Sequence, residues 1–317
     1  MDSATGAGAA EIAFDSPFFR IYKDGRVDRF QGTDTVPPSL DPQTGVQSKD
    51  VRLSSDPDLS VRLFLPRSSV DPARKLPLLV YVHGGAFCIE SPSSPIYTRH
   101  LNAVASAAGV LAVGVQYRWA PEHLLPAAYE DAWAAVRWVA AHALGERGAE
   151  AEPWLRDRAD FNRVFLAGDS AGANIAQHVA ARAGVEGLPG LRIVGVALVH
   201  PFFRNDEPDK LMELIFPSSS GTTDPRMNPA YNPNLGRMAG QRAVVFVAEK
   251  DHLRERGRSY YEALKKSGWE GAVEIVETEG EGHVFHLFKP GCDKAAELVK
   301  KFASFLNQQE SGARQCL

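Results

Sequence analysis

The chain has 317 residues, which suits one large α/β domain or two smaller ones. Hydrophobic residues make up 44% and charged residues 23%, an ordinary globular composition. A formal net charge of -4 offers no basic excess to neutralise phosphates, so nucleic acid is not an expected partner.

The opening MDSATGAGAAEIAFDS lacks the basic stretch and the long apolar run of a secretory leader. Its first 12 or so residues are small and polar and are expected to be disordered. FFRIYKDGRVDRF (Phe18 to Phe30) reads as two short strands around Lys23-Asp24-Gly25. Thr33 to Lys49 is loop. Val51 to Leu65 alternates apolar and polar residues, which predicts an antiparallel edge hairpin.

The pattern then changes. Continuous apolar runs begin at Lys75 (LPLLVYVHGG), Val110, Arg163, Ile193 and Arg242, with a more polar one from Ala272 to Gly280. Such runs are expected of strands buried on both faces. Helical patterns lie between them at Thr98 to Ala108, Ala127 to Ala143, Ala171 to Ala183, Arg256 to Ser267 and Cys292 to Asn307. Alternating strands and helices predict a mostly parallel sheet with helices on both faces. The segment 202–240 breaks the alternation; it is irregular apart from Lys210 to Phe216, and an insertion of that kind is usually functional. No apolar run approaches the roughly 20 residues of a membrane span. Cys88, Cys292 and Cys316 are too scattered for a disulfide framework or a zinc site, so a cytoplasmic chain with reduced thiols is expected.

Chemistry gathers at a few places. In FLAGDSAGANIA, Gly168-Asp169-Ser170-Ala171-Gly172 joins a predicted buried strand to a predicted helix. A sharp strand-to-helix turn needs small neighbours, and it lifts the serine hydroxyl above the sheet beside a helix N-terminus that favours negative charge. The alternative is a simple helix cap by Asp169 or Ser170. A serine nucleophile needs a base, and the base needs an orienting acid. His283 in EGEGHVFHLF and Asp251 in AEKDHL both follow predicted strands, in the chain order Ser, Asp, His. His286 and Glu249 rival them on spacing alone. After the first buried run, His83-Gly84-Gly85-Ala86-Phe87 has the glycines that let backbone N–H groups turn toward an incoming carbonyl oxygen. The Ala171 N–H would complete that oxyanion hole.

HGGAF, YRWAPEHLLPAAYED, GDSAGANIA, EKDHLRERG and EGHVFHL, in that order, resemble the hormone-sensitive-lipase-like branch of the α/β-hydrolases and, within it, the plant carboxylesterases. The resemblance runs from about Phe18 to Leu306 and includes IYKDGRVDRF and KKSGW. It implies an α/β-hydrolase fold in a single domain. It assigns Ser170 as nucleophile, Asp251 as acid and His283 as base, in preference to Glu249 and His286. It places Gly84, Gly85 and Ala171 at the oxyanion hole, on the loop that His83 opens, with the residue 86 N–H as a further donor. It implies a cap built from about residues 1–45 and 202–240. Many relatives carry a third glycine where Ala86 stands, and alanine resists positive φ. Arg118 and Glu122 are expected to brace loops behind the site, and Asp169 to bond a neighbouring loop.

The implied activity is hydrolysis of a small-molecule ester with neither metal nor cofactor. Two other readings use the same pocket. One is a lyase like the isoflavanone dehydratases; the other is a hormone-binding module like the gibberellin receptors, which lack the catalytic histidine. The substrate and oligomeric state are not legible.

Overall fold

The apolar runs end up at the centre of a sheet because helices cover both of their faces. The structure, a computed structural model, describes residues 11–67, 74–145 and 152–308. Most of the expected N-terminal disorder, and Cys316, lie outside these residues.

The chain begins with β1 (Ile12–Asp15), β2 (Phe19–Tyr22) and β3 (Val27–Arg29), then the hairpin β4 (Gln47–Ser55) and β5 (Asp58–Leu65). The α/β alternation follows: β6 (Leu76–Val82), α1 (Pro95–Ala108), β7 (Leu111–Gln116), α2 (Ala127–Leu144), α3 (Pro153–Arg158), β8 (Ala159–Asp169), α4 (Ala171–Glu186) and β9 (Ile193–Val199). After α5 (Lys210–Ile215) come β10 (Arg242–Ala248), α6 (Arg254–Lys266), β11 (Ala272–Thr278), α7 (Phe285–Phe288) and α8 (Asp293–Asn307).

Eight strands form one sheet in the order β11-β10-β9-β8-β6-β7-β5-β4. Within this sheet, among the described residues, only the β4–β5 and β5–β7 pairs are antiparallel. Alternate residues of each central strand enter opposite cores, as the period of two requires. On β6, Leu78, Val80 and Val82 join the layer under α2, α4 and α6, while Leu79 and Tyr81 join the layer under α1, α7 and α8. Val82 pairs with Gly168 and Asp169 with Val199, so β6, β8 and β9 finish side by side. Every residue singled out for chemistry lies just beyond that carboxyl edge, where open α/β sheets gather their ligands.

The structure adds elements that the sequence pattern does not announce. Residues 12–15, just past the small polar opening expected to be disordered, form β1 and pair with β2. Ala13, Phe19 and Ile21 are buried by that pairing. In the 202–240 segment, α5 is the only α-helix; Asp209 caps it by accepting the Met212 N–H at 3.1 Å. The loop is tied down from beneath: Asn174 Nδ2 donates to Arg226 O at 3.0 Å, and Asn174 Oδ1 accepts the Tyr129 hydroxyl at 2.7 Å. Arg118 and Glu122 do brace loops, but not by pairing with each other. Arg118 grips the buried Asp131 on α2, with Nη2 to Oδ1 at 2.8 Å. Glu122 takes both arms of Arg29 at 2.7 Å, which staples the small N-terminal sheet to the loop before α2. Among the described residues no helix is long and apolar enough to cross a membrane.

Candidate active site

Ser170 sits at φ 51°, ψ -120°, a conformation that costs energy in any residue with a side chain. The surrounding glycines show why the turn is so tight. A Cβ on Gly172 would lie 2.1 Å from Val82 O and 2.3 Å from His83 O. One on Gly168 would lie 2.5 Å from the Gly172 backbone. The start of α4 is thus pressed against the ends of β6 and β8, and only glycine fits. Ser170 makes no side-chain cap to α4, so the simple helix-cap alternative does not describe it. Its Oγ lies 3.0 Å from His283 Nε2.

His283 Nδ1 lies 2.8 Å from Asp251 Oδ2. An ionised carboxylate can only accept, so Nδ1 carries the ring proton and Nε2 is left to accept the Ser170 hydroxyl. Burial pushes the Asp251 carboxyl up, but the His283 hydrogen bond and charge, with the Leu253 N–H, outweigh it and hold the group below its usual range. That N–H donates to Oδ1 at 2.8 Å and keeps the carboxylate in one orientation. Ser170, Asp251 and His283 are brought together from three different loops. Glu249 is not: it is exposed, and its Oε2 accepts the Gly280 N–H at 2.6 Å. His286 is buried behind the site, its ring beside His100 at 4.9 Å and His200 at 5.7 Å.

The oxyanion loop corrects one expectation. The Gly84 N–H donates to Tyr97 Oη at 2.8 Å, so it is not available to a substrate oxygen. A Cβ on Gly84 would meet Asp169 Oδ2 at 2.6 Å, which accounts for the glycine. The N–H groups of Gly85, Ala86 and Ala171 donate to no acceptor among the described residues. All three residues line the cavity that holds Ser170 and His283. Ala86 adopts φ 53° and Phe87 φ 64°, so the loop keeps the left-handed path despite the missing third glycine. His83 stabilises it from below. Its Nδ1 donates to Gly84 O at 2.7 Å and its ring stacks on Tyr117 at 4.2 Å, while burial lowers its pKa to about 3. Asp169 accepts from Tyr81 Oη at 2.9 Å and Tyr97 Oη at 2.7 Å. Burial raises its pKa to about 6 in spite of those bonds.

The cavity has a volume of about 410 Å³. Its walls are mostly apolar: Phe18 and Phe19 from the N-terminal sheet, Phe87 and Ile89 from the oxyanion loop, Phe202, Leu211 and Met212 from the insertion, and Leu287 and Phe288 from α7. Phe216, just after α5, does not reach the cavity and is buried against Tyr129.

The family described as alpha/beta hydrolase fold matches residues 79–287. The chain belongs to that family. This α/β hydrolase is 46% identical to a protein named 2-hydroxyisoflavanone dehydratase from Glycyrrhiza echinata, over 92% of its own chain and 94% of the relative. It is 47% identical to the probable carboxylesterase 5 of Arabidopsis thaliana, over 92% and 96%. Among solved structures it is similar to a hyperthermophilic esterase from the archaeon Pyrobaculum calidifontis, with TM-score 0.66 at 27% identity, covering 82% and 85% of the two chains. The hormone-sensitive-lipase-like, plant-carboxylesterase character suggested by the motifs therefore stands.

Two groups of residues in this α/β hydrolase escape sequence reasoning. Tyr81 and Tyr97, which hold Asp169, belong to a strand and a helix whose apolar patterns hide them. His200 lies in an ordinary strand end, with no motif around it. Together with Asp251 and His283 it offers ligand atoms within 4.8 Å of one another, the geometric requirement for a cation. The nitrogens of His283 are already committed, however, and of His200 only the buried Nε2 is without a partner among the described residues. His283 uses one nitrogen on Asp251 and the other on Ser170, and His200 Nδ1 accepts the Val284 N–H. A cation there would have to break the serine–histidine–aspartate line.

Proposed function

We propose that this carboxylic ester hydrolase cleaves short-chain carboxylic esters through an acyl-enzyme on Ser170. The observation that carries the reading is the continuous hydrogen-bond line from Ser170 Oγ through His283 to the buried Asp251, at 3.0 and 2.8 Å. In this reading Ser170 attacks the ester carbonyl while His283 Nε2 takes its proton. Asp251 holds the tautomer and stabilises the imidazolium. The carbonyl oxygen becomes an oxyanion on the N–H groups of Gly85, Ala86 and Ala171; each such donor is worth about 2.7–4 kcal/mol of barrier. His283 then protonates the leaving alcohol, and a water activated by the same imidazole resolves the acyl-enzyme.

The N-terminal sheet and the 202–240 insertion act as the cap, since both supply walls of the cavity. A cavity of about 410 Å³ with apolar walls suits a small acyl group better than a long chain. The cytoplasmic setting is part of the same proposal.

The test is hydrolysis of p-nitrophenyl acetate, butyrate and octanoate by wild type and Ser170→Ala. Turnover that favours the short chains and vanishes in a folded Ser170→Ala supports the reading. Residual wild-type turnover in Ser170→Ala overturns it. A second reading, dehydration of a phenolic substrate, draws on the relative named as a dehydratase. Incubation with a 2-hydroxyisoflavanone separates the two, because loss of water creates a conjugated chromophore. The receptor alternative is disfavoured by a histidine within hydrogen-bond reach of both its partners.

A further inference from the structure

His283 is presented by a turn that its own sequence does not favour. Val284, the next residue, sits at φ 41°, ψ 36°. A β-branched side chain is a poor occupant of this left-handed region and stays there only when its surroundings hold it. The holder is His200. The Val284 N–H donates to His200 Nδ1 at 2.8 Å, with both groups buried. His200 is itself pinned at φ 47°, and its N–H donates to Phe246 O at 2.8 Å on β10. Its ring centroid stands 6.0 Å from that of His283.

The same few residues hold the nucleophile. The Ser170 N–H donates to Val199 O at 2.9 Å, and the Phe202 N–H donates to Ser170 O at 3.0 Å. The stretch from Val199 to Phe202 therefore grips the backbone of Ser170 on both sides. Through the His200 ring it also grips the turn carrying the base. One short segment sets both ends of the 3.0 Å contact between Ser170 Oγ and His283 Nε2.

We propose that His200 is a positioning residue: by accepting the Val284 N–H on an unprotonated Nδ1, it fixes the turn that aims His283 at Ser170. The proposal rests on the serine-esterase reading above. It requires the ring proton of His200 to sit on Nε2. His200 touches no reacting atom, so it acts on alignment and not on binding.

Two variants test this. His200→Phe keeps the bulk of the ring but has no acceptor for Val284. His200→Asn places a side-chain oxygen near the position of Nδ1 and tolerates positive φ. Misalignment of reacting groups by as little as 1 Å can cost about a hundredfold. The folded His200→Phe enzyme should therefore lose between about tenfold and a hundredfold in kcat at unchanged KM. Labelling of Ser170 by a fluorophosphonate should slow in step, and the low-field Nδ1–H resonance of His283 should shift. His200→Asn should recover most of the rate. Wild-type kcat in His200→Phe overturns the proposal, as does equal impairment of His200→Asn. Nitrogen-15 histidine spectra of the wild type need no variant to fold: they should show His200 as the Nε2–H tautomer, and a proton on Nδ1 overturns the assignment. A wild type that neither hydrolyses esters nor labels on Ser170 would sink the esterase reading, while the tautomer still judges His200 separately.

Discussion

Tyr97 Oη accepts the Gly84 N–H at 2.8 Å and so turns the first glycine of the HGG loop away from the cavity. The same hydroxyl donates to Asp169 Oδ2 at 2.7 Å. One phenol on α1 thus joins the oxyanion loop to the residue before Ser170. The two halves of the site that must meet at a substrate carbonyl are referenced to a common anchor.

Removing that anchor should harm stability and rate together. Tyr97→Phe leaves a buried N–H and a buried carboxylate oxygen without their partner, and each such group costs about 1–3 kcal/mol. The Gly85 and Ala86 N–H groups should drift with the loop, lowering kcat more than KM is raised. Thermal unfolding and p-nitrophenyl butyrate kinetics on the variant check both effects. A Tyr97→Phe enzyme as stable and as fast as wild type would remove the anchor from the account.

Ala86 tests the loop differently. At φ 53° its side chain is strained, and the left-handed region costs a non-glycine residue about 1–2 kcal/mol. Glycine relieves that strain but gains freedom in the unfolded chain, worth about 0.5–1 kcal/mol. Ala86→Gly should therefore be neutral to about 1.5 kcal/mol more stable in urea unfolding, by the difference of those two terms. Its N–H is unchanged, so turnover should persist. A clear loss of stability would mean that the alanine methyl packs better than its backbone geometry suggests.

Stability should fall as the pH is lowered. Burial depresses His83 and His200 to about 3 and His100 to about 4, from an ordinary 6.5, and pushes His286 well down. The folded state takes up these protons less readily than the unfolded chain. Their contribution is complete above about 6.5 and is lost as pH falls from there toward the folded values. Asp251, held below its usual range, works in the same direction at lower pH. Asp169 opposes them, since a pKa raised from 3.8 to about 6 favours folding at the acid side of that interval and loses its contribution as pH rises through it. Burial also lowers His178, to about 4, and His252, and it raises Glu90 alongside Asp169, so six histidines against two carboxyls should make the net trend a decline. Urea unfolding at pH 7.5, 6 and 5 measures it, and a flat profile would show that the buried rings find proton acceptors on acidification.

Much of the site was legible because its signals are local. Gly168 and Gly172 flank Ser170 within one turn of chain, and their role is steric exclusion from β6, which small residues advertise directly. Asp251 and His283 end or follow recognisable strands. Their selection over Glu249 and His286 came from the family pattern, because spacing treats the two pairs alike. Only packing separates them: His286 is driven into the layer between α1 and β9, and Glu249 is left at the surface.

By itself the sequence determined the alternation of strands and helices, the two-faced burial of the central runs and the position of the elbow. Those depend on periodicity and residue size, which are properties of neighbouring residues. Tertiary structure alone decided which N–H groups face the cavity, how Ala86 bends and what holds His283. Each of these rests on contacts between distant residues. Gly84 meets Tyr97 across 13 positions, Val284 meets His200 across 84, and Ser170 meets His283 across 113. A hydrogen bond of that kind leaves no periodic trace in the chain, because the partner is chosen by where the sheet edge brings it.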